Sequence, residues 1–208
     1  MPKKANVPPL CAKIVAVSDS LTNDRPDNWL ALMAAGRPGV TVVANAHGGW
    51  TTKSFFKEKF KDVAFARVPR DADLFILLVG SNNLFEAQGG SDAAVEEAVE
   101  GIERLAAHLL GLSPGAEILL VAPPTVALKN NVLADPKPER RIDDHTPEYL
   151  GRLSRAYRDL AARRRWRFVD LCPVLSDEDF ADAAHPNARG NRKMAEAIGA
   201  ALAPQPRP

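Results

Sequence analysis

The sequence predicts an α/β protein in which helices cover both faces of one parallel sheet. Five short apolar runs, rich in Val, Ile and Leu, are typical of parallel strands that are buried on both faces. They cover residues 13–17, 41–44, 74–79, 117–121 and 167–170. Helical patterns lie between these runs, and crossovers between parallel strands are right-handed. The alternation therefore predicts a three-layer α/β/α sandwich with a five-stranded parallel sheet.

The helices are predicted from apolar spacing and from signals at their ends. Apolar residues that recur every three or four positions predict a helix that begins near Ser91 and ends before Ser113. A second such pattern predicts a helix over 147–164, with Thr146 as its N-cap and a proline at its first position. Shorter helices are predicted over 27–35, 51–59 and 188–202.

Length and composition favour one domain spanning residues 1–208. A chain of 208 residues with 46% hydrophobic content is long enough to bury one sizeable core. The proline-rich ends, 1–9 and 203–208, are expected to be disordered tails. The irregular segment 123–145 follows the fourth predicted strand, and loops of this length are usually functional lids or disordered.

Charge and cysteine usage exclude several classes of function. A net charge of +1 argues against a partner that is a nucleic acid or an anionic membrane. The chain has no secretory signal and no spanning apolar run, so a cytoplasmic location is expected. Its two cysteines, Cys11 and Cys172, lack metal-ligand spacing and are expected to be free thiols. No metal site is predicted.

Three residues at opposite ends of the chain carry the chemistry of nucleophilic catalysis. Ser20 lies in a polar turn directly after the first predicted strand, and Asp182 and His185 lie near the C-terminus. A serine hydroxyl needs an imidazole to accept its proton, and the imidazole needs a carboxylate to fix its tautomer. Taken alone, Ser20 is better explained as the cap of a following helix. The residues between the two ends decide between these interpretations.

Two further predicted strands also end in polar or glycine-rich turns. The second strand is followed by a turn that contains Gly48 and Gly49, and the third by Gly80-Ser81-Asn82-Asn83. Open α/β sheets form their active sites outside the carboxyl ends of the strands. Backbone N–H groups and a side-chain amide at this edge could stabilise the oxyanion of an acyl-transfer reaction.

These four segments resemble the conserved blocks of the SGNH hydrolase superfamily, the GDSL-type esterases and lipases. Ser18-Asp19-Ser20-Leu21 resembles the nucleophile block, Gly49 the glycine block, Asn82 the asparagine block, and the segment from Asp182 to His185 the final block. The resemblance spans residues 14–186 and keeps the family's order. It implies a flavodoxin-like strand order, 2-1-3-4-5, and ester hydrolysis without a cofactor.

The resemblance also implies a role for each site residue. Ser20 would be the nucleophile, His185 the base and Asp182 its orienting carboxylate. The oxyanion hole would comprise the backbone N–H groups of Ser20 and Gly49 and the amide of Asn82.

The sequence departs from the family pattern at three places. Ser18 stands where the family usually has Gly, and Asn83 where it usually has Asp. The glycine block is one residue shorter than usual, so the oxyanion donor is either Gly49, which is favoured, or Gly48. No catalytic group is missing, and the substitution Asn83→Asp is expected to be tolerated.

The predicted function is hydrolysis of short-chain carboxylic esters, with a small-molecule ester as the partner. Acetylated sugars, aryl esters, lysophospholipids and thioesters all remain candidates, and the oligomeric state stays open. Ser18 and Asn83 favour an alternative, a catalytically silent binding module of the same fold. A flavodoxin-like nucleotide or flavin binder ranks last, because no Gly-x-Gly-x-x-Gly or P-loop motif follows the first strand.

Overall fold

The structure, a computed structural model, describes residues 13–22, 27–130 and 142–202. The expectations for the tails 1–9 and 203–208 and for Cys11 lie outside these residues. The same holds for residues 131–141 of the segment after the fourth strand.

A single five-stranded parallel sheet forms the centre of the molecule. Its strands are β1 (Lys13–Ser18), β2 (Thr41–Ala46), β3 (Leu74–Leu78), β4 (Glu117–Ala122) and β5 (Arg167–Asp170). Their order across the sheet is β2-β1-β3-β4-β5, with parallel pairing throughout. The order 2-1-3-4-5 implied by the family resemblance is confirmed, and the predicted strands differ from the observed ones by at most two residues at an end.

In the described part of the chain, five α-helices connect or follow the strands. They are α1 (Trp29–Ala35), α2 (Ser81–Glu86), α3 (Asp92–Leu112), α4 (Thr146–Arg164) and α5 (Ala188–Ala201). As predicted, α3 begins near Ser91, and Ser91 is its N-cap, since its hydroxyl accepts the N–H of Ala94. The N-cap predicted at Thr146 is wrong by one residue: α4 begins at Thr146, and its hydroxyl accepts the N–H of Asp143 in the preceding turn.

Two other helix predictions need correction. The helix expected over 51–59 is two short 3₁₀ helices, Thr52–Phe56 and Glu58–Phe60, because Lys57 between them has extended backbone angles. The short helix α2 was not predicted at all, since a polar turn was expected at its position.

Alternation along the strands divides the core into two layers. On one face of the sheet, Phe75 and Leu77 pack against α3 and α4; on the other, Leu74 and Ile76 pack with α1 and α5. All of these strand residues are fully buried. A strand buried on both faces must be apolar at every position, which is why each appears in the sequence as a continuous apolar run.

The strand register brings three polar turns to one edge of the sheet. Ser18, the last residue of β1, pairs with Ala46 at the end of β2 and with Leu78 at the end of β3. The turns that follow these strands therefore start side by side, at the carboxyl edge where open α/β sheets bind their ligands.

Candidate active site

The turn after β1 presents Ser20 beside the sheet edge. Leu21 donates its N–H to the Asp19 carboxylate (3.0 Å) and Thr22 donates its N–H to the Asp19 carbonyl (3.2 Å), so the turn is fixed by Asp19. Ser20 does not cap α1, because the N-cap of that helix is Asn28. The departure at Ser18 is accommodated: its buried hydroxyl donates to the carbonyl of Leu78 (2.7 Å).

The structure brings Ser20, His185 and Asp182 together in one chain of hydrogen bonds. Nε2 of His185 lies 3.0 Å from Oγ of Ser20, and Nδ1 lies 2.8 Å from Oδ2 of Asp182. Oδ1 of Asp182 also accepts the backbone N–H groups of Ala184 and His185, both at 2.8 Å. Burial alone would raise the pKa of Asp182, but these N–H groups and the imidazole outweigh it and lower the pKa. Asp182 is thus an ionised acceptor for the imidazole.

A second carboxylate, Asp179, anchors the loop that carries His185. Asp179 is fully buried and accepts hydrogen bonds from Arg189 and Lys193 of α5, both at 2.6 Å. Burial opposes its ionisation, but these cations and Ser176 hold the pKa of Asp179 far below its usual value. The loop also closes on itself through a bridge between Phe180 and Pro186. The loop that carries His185 is therefore held by this ion-pair cluster together with its own backbone contacts.

The asparagine block forms the start of α2, and Gly80 makes that possible. Gly80 has φ of +135°, and a Cβ at this position would clash with the hydroxyl of Tyr157. That hydroxyl, buried on α4, donates to the carbonyl of Val79 (2.9 Å). Only glycine permits both the backbone conformation and the close approach of α4. Tyr157 is a supporting residue that the sequence did not reveal.

The amide of Asn82 is fixed by two acceptors. Its Nδ2 lies 3.0 Å from Oδ2 of Asp19 and 3.0 Å from the carbonyl oxygen of Trp50. Asn82, the predicted oxyanion donor, thus lies between two turns. One is the turn after β1 that carries Ser20, called the nucleophile turn after its sequence block. The other is residues 47–50 after β2, called the glycine turn. Both N–H groups of Asn82 have protein partners in this state.

Asp19 connects these parts, although no role was predicted for it from the sequence. Its side chain is buried, and its Oδ2 also lies 3.4 Å from the hydroxyl of Ser81. Burial raises the pKa of Asp19 to about 6, although the N–H of Leu21, the nearby His185 and the contacts with Ser81 and Asn82 act in the opposite direction. Its position next to Ser20 in the nucleophile block was the one signal that the sequence offered.

The glycine turn uses its two glycines differently. Trp50 donates its N–H to the carbonyl of His47 (3.2 Å), and Gly49 provides the positive φ of +74° in this turn. A Cβ on Gly48 would lie 4.0 Å from Cβ of Ser20, so Gly48 faces Ser20. His47 stacks on Trp50 at 3.9 Å between ring centroids, which places His47 in the packing of the loop.

Asn83 ties the glycine turn to α3. Its Oδ1 accepts the N–H of Thr52 (3.1 Å), and its Nδ2 donates to Oε1 of Glu97 (2.7 Å). Lys53 pairs with the other oxygen of Glu97 at 2.7 Å. Asn83 thus makes a contact that requires an N–H donor, which an aspartate does not have.

This contact changes the expected result for Asn83→Asp. The new carboxylate would face Glu97 at hydrogen-bond distance, and two carboxylates this close repel unless they share a proton. We expect the variant to be less stable by roughly 1–2 kcal/mol at pH 8, with a smaller loss at pH 5, because protonation relieves the repulsion. Thermal unfolding at the two pH values measures this. Glu97→Gln should restore stability to the Asn83→Asp variant, and equal stability of Asn83→Asp and wild type at pH 8 would contradict the assignment.

Further observations concern metal ligands, thiols and helix character in the described part of the chain. Within residues 13–22, 27–130 and 142–202, no three His, Cys, Asp or Glu side chains are grouped to hold a metal ion. Cys172 has a free thiol. Of the helices in those ranges, none has both the length and the apolar character needed to span a membrane.

Comparisons with known proteins agree with this fold. A carbohydrate acetylesterase from Sinorhizobium meliloti superposes with a TM-score of 0.70 at 21% identity, over 92% of this chain and 98% of that one. The aryl esterase of M. smegmatis superposes with a TM-score of 0.68 at 19% identity, over 90% of this chain and 96% of that one. For a mutant of an acetyl-xylooligosaccharide esterase from Geobacillus, the TM-score is 0.66 at 17% identity, over 93% of this chain and 94% of that one. At these identities the likeness establishes the fold.

Sequence comparison adds the family. No curated protein sequence matches the chain significantly. The model of the GDSL-like lipase/acylhydrolase family matches residues 14–193, which include all four blocks at the sheet edge. The chain therefore belongs to the GDSL-like lipase/acylhydrolase family of SGNH-type hydrolases.

Proposed function

We propose that the protein is a serine esterase that cleaves short-chain carboxylic esters through an acyl-enzyme. The observation that carries the proposal is the uninterrupted series of contacts from Oγ of Ser20 through His185 to Asp182, at 3.0 and 2.8 Å. These distances suit proton transfer from the serine hydroxyl to Nε2 while the carboxylate holds the Nδ1–H tautomer.

In the proposed mechanism, His185 accepts the proton of Ser20 as Oγ attacks the ester carbonyl. Asp182 stabilises the imidazolium that forms. The backbone N–H groups of Ser20 and Gly49 and the amide of Asn82 stabilise the oxyanion. His185 then protonates the leaving alcohol, and a water molecule that His185 deprotonates hydrolyses the acyl-enzyme. No cofactor takes part in these steps.

The related solved enzymes indicate which esters to test first. They are described as a carbohydrate acetylesterase, an aryl esterase and an acetyl-xylooligosaccharide esterase. Acetylated carbohydrates and aryl acetates are therefore the first substrate classes for this chain. Longer acyl esters, lysophospholipids and thioesters complete the screen and measure its preference for short acyl groups.

A fluorophosphonate probe tests the proposed nucleophile directly. Such a probe phosphonylates a serine that is activated by a neighbouring base. We expect one equivalent of label on Ser20 in the wild type and none in Ser20→Ala. Ser91→Ala is the matched control, since it removes a helix-capping hydroxyl far from His185 along the chain. Labelling at another serine, or no labelling of a folded wild type, would contradict the proposal.

One observation favours the second candidate, a catalytically silent binding module. Both N–H groups of Asn82 are engaged, by Asp19 and by the carbonyl of Trp50, so the amide has no N–H to spare for an oxyanion in this state. A binding module would keep Ser20 unreactive towards the fluorophosphonate. The same experiment therefore separates the two candidates.

The two asparagines of the block are predicted to differ in their effects. Asn82→Ala should lower kcat by a factor of about 10²–10³ with little change in KM, because its contact with the oxyanion forms only in the transition state. Asn83→Ala should act mainly on stability, since Asn83 contacts Thr52 and Glu97. Steady-state kinetics on folded variants measure both. A larger loss of kcat in Asn83→Ala would assign the donor to Asn83.

A further inference from the structure

Asp19 is placed to control the amide that the proposed mechanism uses. Its Oδ1 accepts the N–H of Leu21 in the nucleophile turn, and its Oδ2 accepts the amide of Asn82 in α2. One buried carboxylate therefore joins two elements that are 63 residues apart along the chain. We propose that Asp19 is a positioning residue, which holds the Asn82 amide at the sheet edge so that its second N–H can stabilise the oxyanion.

The two acceptors of Asn82 are not equivalent. The contact with Asp19 involves an anionic oxygen when the carboxylate is ionised, and charge-assisted hydrogen bonds are roughly twice as strong as neutral ones. The contact with the carbonyl of Trp50 is a neutral bond, made by a residue next to Gly49 in the glycine turn. A developing oxyanion can therefore displace the carbonyl of Trp50 from Asn82 more easily than it can displace the carboxylate of Asp19. Asn82 can thus leave Trp50 during the reaction while Asp19 keeps the side chain in place.

The burial of Asp19 also favours a role in positioning Asn82. An ionised carboxylate is costly to bury unless hydrogen bonds stabilise it, and Asp19 is 1% exposed. Two titratable groups interact with it: His185 from the loop before α5, and Tyr157 of α4. The pKa of Tyr157 lies well above 10, chiefly because of burial, so this phenol stays neutral at the pH of the reaction. The hold on Asn82 should therefore weaken as pH falls through about 6, where the pKa of Asp19 lies.

A double-mutant cycle tests the proposal, which rests on the proposed esterase function. We expect Asp19→Asn to lower kcat about tenfold or more while KM changes by less than about twofold. In the Asn82→Ala background the same substitution should change kcat by less than about twofold, because its target is gone. Equal factors in both backgrounds would overturn the proposal. Should Asp19→Asn fold poorly, Asp19→Ser removes Oδ2 and keeps a hydroxyl that can accept the N–H of Leu21.

Asp170→Asn is the matched control for the cycle. Asp170 ends β5 and accepts the N–H of Cys172, two residues on, as Asp19 accepts that of Leu21. Its other oxygen pairs with Arg158 rather than with a residue of the site. Asp170→Asn should leave kcat within about twofold in both backgrounds. A tenfold loss in this control would mean that any such turn carboxylate matters, and the specific role of Asp19 would be rejected.

An NMR titration tests the contact without catalysis. The side-chain amide resonances of Asn82 should shift between pH 5 and 8 with a midpoint near 6 in the wild type and in Asp170→Asn. The shift should disappear in Asp19→Asn. A shift that persists there would come from a group other than Asp19 and overturn the proposal. If the wild type hydrolyses no ester, the proposed function fails while this titration still decides the role of Asp19.

Discussion

Ser20→Ala is expected to remove nearly all ester hydrolysis and to leave the protein folded. No other hydroxyl is hydrogen-bonded to Nε2 of His185 among the described residues, so no other group can replace the nucleophile. The loss of kcat should be roughly 10⁴–10⁶-fold, the range seen when a catalytic serine is removed. Hydrolysis of an activated aryl acetate, with purified variant and wild type in parallel, measures it.

The fold of Ser20→Ala is checked separately by thermal unfolding. Ser20 is half-buried in a turn that Asp19 fixes, so truncation should change the melting temperature little. Activity above a few per cent of the wild-type kcat in this folded variant would mean that another residue is the nucleophile.

Asp182→Asn is expected to have the second largest effect, a loss of about 10⁴ in kcat. Oδ1 of Asp182 accepts the N–H groups of Ala184 and His185, so the oxygen of an asparagine amide would take that position. The amide NH₂ would then face Nδ1 of His185, where Oδ2 lies at 2.8 Å in the wild type. The imidazole would have to accept at Nδ1 and carry its proton on Nε2, and could not accept the proton of Ser20.

Kinetics of Asp182→Asn at pH 8 measure this effect, with Asp170→Asn as the control carboxylate. The melting temperature should change little, because the two backbone contacts of Oδ1 are kept. If the variant retained more than about a tenth of kcat, the carboxylate would not be needed to fix the tautomer, and the role of Asp182 would be limited to the shape of the loop.

Much of the fold could be predicted because buried strands and helix faces require apolar residues, and their spacing is visible in the sequence. A strand such as β3 is covered on both faces and is therefore apolar throughout. In contrast, α2 is six residues long and carries Ser81, Asn82 and Asn83 in its first turn, which resembles a polar turn. Its formation depends on Gly80 and on the approach of Tyr157 from α4, and neither a positive φ nor a distant contact is visible in local periodicity.

The candidate site divides in the same way. The chemistry of Ser20, His185 and Asp182 could be predicted from residue types, from order and from the family resemblance, and the structure places the three within hydrogen-bond distance. The contacts of Asp19 with Asn82 and of Asn83 with Glu97 could not, because each joins separate elements through side-chain geometry. The sequence alone suggested that Asn83→Asp would be tolerated, because Asp is the family's usual residue there and the contact with Glu97 was not visible.

The two halves of the site, Ser20 on one side and His185 on the other, are held by different kinds of structure. Ser20 follows β1, which has a strand on either side, whereas His185 lies on a loop held by Arg189 and Lys193 of α5. Loops generally open at lower free energy than a sheet core, so we expect the loop that carries His185 to open while the sheet stays intact. On heating, the enzyme should therefore inactivate before its secondary structure melts, which activity and circular dichroism recorded over the same temperatures would show.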